Sequence, residues 1–451
     1  MVWLLRLLIL TFFIPQVAKS YTYLSDEYSS FKPKIINYNF PMENTVSLDY
    51  VLSDKENLID NQFVIPVQLQ HNVSFWLKVY TQINSNQVIL FDKKHPQIVY
   101  EIVDFSNLLN TSRSLIVYEI LRERKLKKII KDYKFAFSKL KQKKPWKKRS
   151  VTEKKILSAL KKANHYHPVS YYQKTFRSQT GQSNFVQSGI ETISPYLHSM
   201  ETIFNAYDIP KELVFLSLVE SSFNLRAVSK VGATGVWQFM NRTGKEFLYI
   251  NKSYTIDERL SPVKSTIAAA LLLKRNYRLL DNWPFAITAY NYGHSKLRKI
   301  NRWKNPIRQA SYTFNTCKNR YRFGWAGLNY YSEFLAVLYA ANYKHLFYKN
   351  KLENEQLNFT YQPLNKTQTA YNFVLNNNLS LYQFKSINPD IKNIHVRLPK
   401  GFFVAIPNKK PLINVINSRR WNKNRTKIKK FKINKVSYKQ SRPVKSKMTF
   451  F

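Results

Sequence analysis

At 451 residues and 44% hydrophobic content, the chain is long enough for a sizeable core and two or three structural units. Its 72 Lys and Arg against 27 Asp and Glu leave a formal charge of +45. Such a surface is drawn to nucleic acid, anionic lipid or an acidic cell-wall polymer, although bias toward Lys, Asn and Ile is an equally good source of the excess. A single cysteine, Cys317, excludes an intrachain disulfide framework and a Cys-based zinc site. His165 and His167 find no further ligand at metal-binding spacing, so neither a metal nor another cofactor is expected.

The first twenty residues read as a secretory signal peptide. Arg6 supplies the positive charge, Leu7 to Ile14 the apolar stretch, and Ala18 and Ser20 the small residues before a cut. No cysteine stands at the cut to carry a lipid, and an uncleaved N-terminal anchor is the alternative. No other segment has the roughly 18 uninterrupted apolar residues of a spanning helix. Export to the periplasm or cell envelope moves nucleic acid out of the list of expected partners.

Residues 21 to about 60 are polar, contain proline and show no sustained period, as in an extended arm. From Phe63 to about Ala163 the chain reads mainly helical, so 21–165 forms an N-terminal, mainly helical region. Val73, Trp76, Leu77 and Tyr80 fall on one helix face. Arg122 to Arg149 is strongly basic, with Leu126, Ile129, Ile130 and Tyr133 interleaved. It is either a solvated helix face or a surface for an anionic partner.

The first 180 residues contain no glycine; Gly232, Gly235, Gly244, Gly293, Gly324 and Gly327 then cluster within 180–345. In a chain that otherwise avoids glycine, this points to turns that need positive φ or close backbone approach. Tyr196, Leu197, Met200 and Ile203 mark a helix that Asp208-Ile209-Pro210 breaks. Pro210 is placed to open the next helix, almost wholly apolar through Leu213, Val214, Leu216, Leu218 and Val219. Glu220 sits at its end. Desolvation there raises a carboxyl pKa toward neutrality, as general acid catalysis requires, while an ion-paired structural Glu is the alternative. Downstream, Ser229 to Met240 is a glycine turn leading into Trp237, Gln238 and Met240, and Trp283 precedes Tyr290 and Asn291. Aromatic and amide side chains suit sugars, which have apolar faces and hydroxyl edges.

Glu220-Ser221, Gly235-Val236-Trp237-Gln238 and Ala289-Tyr290-Asn291 stand in the order and spacing of three lytic transglycosylase motifs. The chain resembles that family over roughly 185–345, in the group related to membrane-bound lytic murein transglycosylase D. Further matching stretches run from Ala227, Thr243, Asp257, Lys264 and Asn329. The resemblance implies a goose-lysozyme-like, mainly α domain with a long groove for peptidoglycan glycan strands. It also implies non-hydrolytic cleavage between N-acetylmuramic acid and N-acetylglucosamine, with Glu220 acting first as acid and then as base. Ser221, Trp237, Gln238, Met240, Tyr290, Asn291, Tyr330 and Tyr331 are the implied substrate-binding residues. Val236 stands where the family has Leu. Either Tyr330 or Tyr331 fills the family's tyrosine position, and the segment Lys304 to Arg322 is widened. Asp257 and Glu258, beside Arg259, read as structural ion pairs.

Residues 365–408 resemble a divergent LysM module, a small βααβ unit, through Leu379 to Phe384, Ile387-Asn388-Pro389 and Leu398 to Pro407. The Gly-Asp-Thr signature of that module is missing. Residues 409–451 form a basic tail with the composition of a disordered segment. The expectation is an exported lytic transglycosylase, monomeric, held to the wall or a membrane through its basic surface. A catalytically inactive peptidoglycan-binding scaffold is the rival.

Overall fold

The computed structural model describes residues 47–164, 167–251, 253, 255–295, 297, 325–348 and 359–407. The signal segment, most of the 21–60 arm, His165, Cys317, Lys304 to Arg322 and the basic tail lie outside the described residues.

The first large helix, α1 (Gln70–Thr81), carries the expected stripe of Val73, Trp76, Leu77 and Tyr80, all buried, with Phe75 and Val79 buried as well. It is therefore covered nearly all round. The next segment corrects the helical reading of 63–163. Strands β1 (Gln87–Asp92) and β2 (Val99–Asp104) pair antiparallel and, with a later strand, form a sheet in the order β2-β1-β3. β1 is the central strand. Val88 and Leu90 face a small helical core, and Ile89 and Phe91 face the main core. A strand buried on both faces shows an unbroken apolar run and no alternation, which is why its period was invisible.

Helix α2 (Leu115–Lys139) starts at Ser114, whose hydroxyl accepts from the Val117 amide. It buries Tyr118, Tyr133, Ala136 and Phe137. Arg122 is buried too, donating to Ser85 O (3.2 Å) and Thr180 Oγ1 (3.4 Å). Helix α3 (Val151–Lys162) opens with a reciprocal cap between Ser150 and Glu153, and β3 (Phe176–Thr180) closes the sheet.

The central helices follow. These are α4 (Ser183–Ala206), a 3-10 turn (Lys211–Phe215), the short α5 (Leu216–Ser221), α6 (Pro262–Leu280), α7 (Trp283–Tyr292) and α8 (Trp325–Asn342). Pro210 was expected as the first residue of a continuous helix. It caps the 3-10 turn instead, with ψ 127°, and the α-helical hydrogen bonding begins only at Leu216. α8 is apolar and buried along almost its whole length, which places it at the middle of the bundle. Asn329 fastens it to α1 by accepting from Trp76 Nε1 (3.2 Å) and Asn72 Nδ2 (3.1 Å).

At the C-terminal end, β4 (Phe359–Pro363) pairs antiparallel with β7 (Phe403–Pro407). Inside this pair lie β5 (Gln368–Thr369), α9 (Ala370–Asn376), α10 (Leu381–Ile387) and β6 (Arg397–Leu398), with β5 antiparallel to β6. The unit thus begins at Phe359, earlier than the residue 365 read from sequence. It is seated firmly on the helical body. Ile256 joins its core, Asp257 N donates to Asp390 O (2.8 Å), and Lys392 N donates to Thr255 O (2.9 Å). Among the described residues, no helix is long and apolar enough to cross a membrane.

Candidate active site

Glu220 is the penultimate residue of α5. The helix stops abruptly after it, because Ser222 (φ 49°) and Phe223 (φ 52°) both take the left-handed conformation. Two such residues in succession cost free energy that the packing must offset. The fully buried Phe223 ring supplies part of that packing. α4 closes the other side through Gly189, where a Cβ would fall 2.5 Å from Ser222 O.

Glu220 keeps some opening to solvent, yet its carboxyl is surrounded by protein. Desolvation pushes its pKa up to about 7, and the hydroxyl of Tyr330, which donates to Oε1, pulls it partly back. No Lys or Arg pairs with Glu220 among the described residues.

The following turn is built to face this carboxyl. Ser221 Oγ donates to Val236 O (2.9 Å), tying the end of α5 to the Gly235-Val236-Trp237-Gln238 turn. Gly235 has φ 77°, and a Cβ there would sit 1.8 Å from Arg259 O, so glycine is required twice over. Arg259 clamps the turn by donating from Nη1 to Gly232 O and Phe239 O, both at 3.0 Å. Its remaining donors meet Asp257 (2.7 and 2.9 Å), so Asp257 is the structural partner expected of it.

Trp237 departs from expectation. Read as a stacking surface for sugar, it is instead fully buried, donating from Nε1 to Thr266 Oγ1 (2.9 Å) and packing on Phe204. Its contribution is indirect, since its carbonyl accepts from Tyr290 OH (2.9 Å). Tyr290, in the last turn of α7, lies within electrostatic reach of Glu220; burial first, then the Glu220 charge, raises its pKa. Gln238 is held at φ 47° with Nε2 donating to Gly235 O (2.8 Å), and its buried Oε1 has no partner among the described residues. Met240 and Asn291 are partly buried near the ends of the same turn and of α7.

Of the two candidate tyrosines, Tyr330 reaches Glu220. Tyr331 points into the core against Phe334, with ring centroids 6.3 Å apart. One helical turn beyond Tyr330 stands Glu333, to which the sequence assigned no role. It is 2% exposed, and its Oε2 has no hydrogen-bond partner among the described residues. Desolvation, then the charge of Glu220, raises its pKa to about 8, while Arg177 acts in the opposite sense. A Tyr-x-x-Glu pair on a largely apolar helix was the available signal, since it places two polar groups on one buried face.

The family profile described as Transglycosylase SLT domain matches residues 203–311, which span the Glu220 helix, the glycine turn and α7. The chain carries a transglycosylase SLT domain. It is 32% identical over 106 residues to membrane-bound lytic murein transglycosylase D of Escherichia coli (strain K12), covering 23% of each chain. It is also 32% identical over 126 residues to a putative tributyltin chloride resistance protein of Alteromonas sp. (strain M-1), covering 28% of this chain and 60% of that one. The match thus spans about a quarter of the length of the Escherichia coli relative. Every site residue named before Asn291 lies in the part shared with the SLT domain, whereas Tyr330 and Glu333 lie beyond it.

Proposed function

We propose that the protein is a peptidoglycan lytic transglycosylase that cuts between N-acetylmuramic acid and N-acetylglucosamine, with Glu220 as its single acid and base. The observation that carries the reading is an enclosed carboxyl with pKa near 7, bonded to the Tyr330 hydroxyl and, among the described residues, to no cation. In the first half, protonated Glu220 gives its proton to the glycosidic oxygen as the C1–O bond breaks. The freed carboxylate, steadied by Tyr330, then takes the proton of the muramoyl 6-hydroxyl while that oxygen bonds to C1. A 1,6-anhydro ring results, Glu220 is protonated again and no water is consumed.

Ordinary glycosidases need a second, ionised carboxylate as nucleophile or base. The second carboxyl nearby, Glu333, is buried and raised above its ordinary value by desolvation and by the charge of Glu220, an environment that disfavours an ionised nucleophile or base there. Gln238 Oε1 and Tyr290 supply polar groups for positioning the sugar. The β5-α9-α10-β6 arrangement supports a LysM-like reading of 359–407 with affinity for N-acetylglucosamine polymers. The charge of +45 and the leader-like residues 1–20 support an envelope location beside an acidic wall.

The test is digestion of purified murein sacculi followed by mass analysis of the released muropeptides. Anhydro ends from the native chain, and none from Glu220→Gln, are expected. Reducing ends in their place would mean hydrolysis and would overturn the lyase chemistry. Absence of release by the native chain would return the protein to a binding scaffold.

A further inference from the structure

Helix α2 has one face with no role in the site. Tyr118, Arg122, Tyr133 and Phe137 turn inward. On the opposite side Val117, Ile120, Arg124, Lys127, Lys131 and Lys134 follow one another at intervals of three and four residues, so they share one outward stripe. All six are exposed. Beside the first turn of the stripe Ile116 is 67% exposed, and beside its last turn Phe135 is 62% exposed, with Lys139 Nζ 5.2 Å from the ring centroid. The stripe therefore begins aliphatic, runs through four cations, of which Lys127 pairs with Glu123 at its edge (2.7 Å), and closes next to an aromatic ring.

We propose that this face of α2 docks on the surface of an anionic lipid bilayer. A hydrated, acidic polysaccharide would account for the cations but gives Ile116, Val117, Ile120 and Phe135 nothing to bury against. A bilayer interface takes both: aliphatic and aromatic side chains enter the boundary between headgroups and acyl chains, and Lys and Arg meet anionic headgroups. Charge complementarity selects the leaflet chemistry, because the stripe keeps a net positive charge after the Lys127–Glu123 pair and a neutral surface offers that charge no counterpart. The helix lies along the surface and does not span it, since the inward face is committed to the protein's own core. The inference does not rest on the reading of Glu220, as none of these residues belongs to the site.

The experiment is co-sedimentation of the full chain with vesicles of phosphatidylcholine alone, or of phosphatidylcholine with phosphatidylglycerol. Two variants are compared with the native chain, Ile116→Ser with Ile120→Ser, and Lys127→Gln with Lys131→Gln. All the altered side chains are exposed, and circular dichroism checks the fold. Partition to the anionic vesicles is expected for the native chain, with little to the neutral ones. Each double variant should lose at least about fivefold in partition while digesting sacculi at the native rate. The serine variant is the decisive one, because a protein of this charge adheres to any polyanion through cations elsewhere. If it partitions like the native chain, the apolar face is not engaged and the proposal falls. It also falls if the native chain ignores both vesicles, or if the serine changes alter only its sedimentation mass, which would make the face a contact between copies of the chain.

Discussion

Two clusters of buried carboxyls lie on opposite sides of the glycine turn and have been given opposite environments. At the seat of the C-terminal unit, Lys264 is fully buried, with Nζ 2.6 Å from Asp390 Oδ2, 3.4 Å from Glu258 Oε1 and donating to Phe403 O at 2.8 Å. The Phe402 ring lies 4.2 Å from the same nitrogen. Asp257 is matched in the same way by Arg259. Around Glu220 there are a hydroxyl and a second carboxyl, and no paired cation among the described residues. Burial penalises a charge in both places. Where cations neutralise it, the carboxylates hold two units together; where they are withheld, the proton stays and becomes available for transfer. Perturbation alone does not distinguish a working carboxyl from a structural one, since Asp390 is raised by desolvation too, with Lys264 pulling it back. The partner does.

Removing the proton donor should have the largest effect. Glu220→Gln keeps the shape and is expected to lower the rate of sacculus digestion by about 10²–10⁴-fold, the usual contribution of acid–base catalysis. Because the cycle starts from protonated Glu220, native activity should fall along one limb as pH rises through about 7. A folded glutamine variant with near-native turnover would abolish the distinction between the clusters.

Breaking the paired cluster should instead act on stability. Asp390→Ala leaves the Lys264 ammonium buried beside Glu258 alone, and loss of one member of a buried pair costs about 3–5 kcal/mol. A large fall in melting temperature is expected. At a temperature where the variant remains folded, the pH at which activity declines should stay where it was. A shift in that pH would mean that the two clusters communicate and are not separate devices.

Tyr330→Phe comes next. A hydrogen bond to a charged group is worth about 1.5–3 kcal/mol, which corresponds to roughly a tenfold to a hundredfold loss in rate if the bond steadies the Glu220 carboxylate during the cycle. Its loss also removes the influence that lowers the Glu220 pKa. The descending limb should therefore move to higher pH even as the maximum rate drops. Tyr331→Phe, deep in the core beside Phe334, should change neither.

The active-site side of this comparison was legible in the sequence to an uneven degree. An almost wholly apolar run ending in Glu220 announces a desolvated carboxyl, and Gly235 in a chain poor in glycine announces a turn under constraint. Trp237 was misread because aromatic character says nothing about which way a ring points, and Thr266, its partner, is 29 residues away. The β1–β2–β3 sheet was missed because β1 separates two cores and so shows no alternation. The choice between Tyr330 and Tyr331 depends on the rotation of α8, which is fixed in part by Asn329 reaching back to Trp76. Contacts 253 residues apart in sequence leave no local trace.

The smallest expected effect on rate is also the sharpest test of the contrast. Glu333 is a buried carboxyl beside the site, raised above its ordinary value by desolvation and by the charge of Glu220. Glu333→Gln mimics the protonated form, so the rate at pH 6 should stay close to native; a fall of 10² or more would make Glu333 a second catalytic carboxyl. Stability should respond with a definite sign. The folded pKa, about 8, lies above the ordinary 4.5 of an unfolded glutamate, so between these values the folded state binds the proton and the unfolded state does not. Native stability must then decline as pH rises from about 4.5 to about 8, where the contribution levels off. Glutamine has no proton to lose. The variant and the native chain should therefore melt together near pH 5, and the variant should melt higher at pH 8. The reverse order at pH 8 would mean that Arg177 holds Glu333 as an ionised partner, and that the site contains the kind of ion pair that sets the other cluster apart.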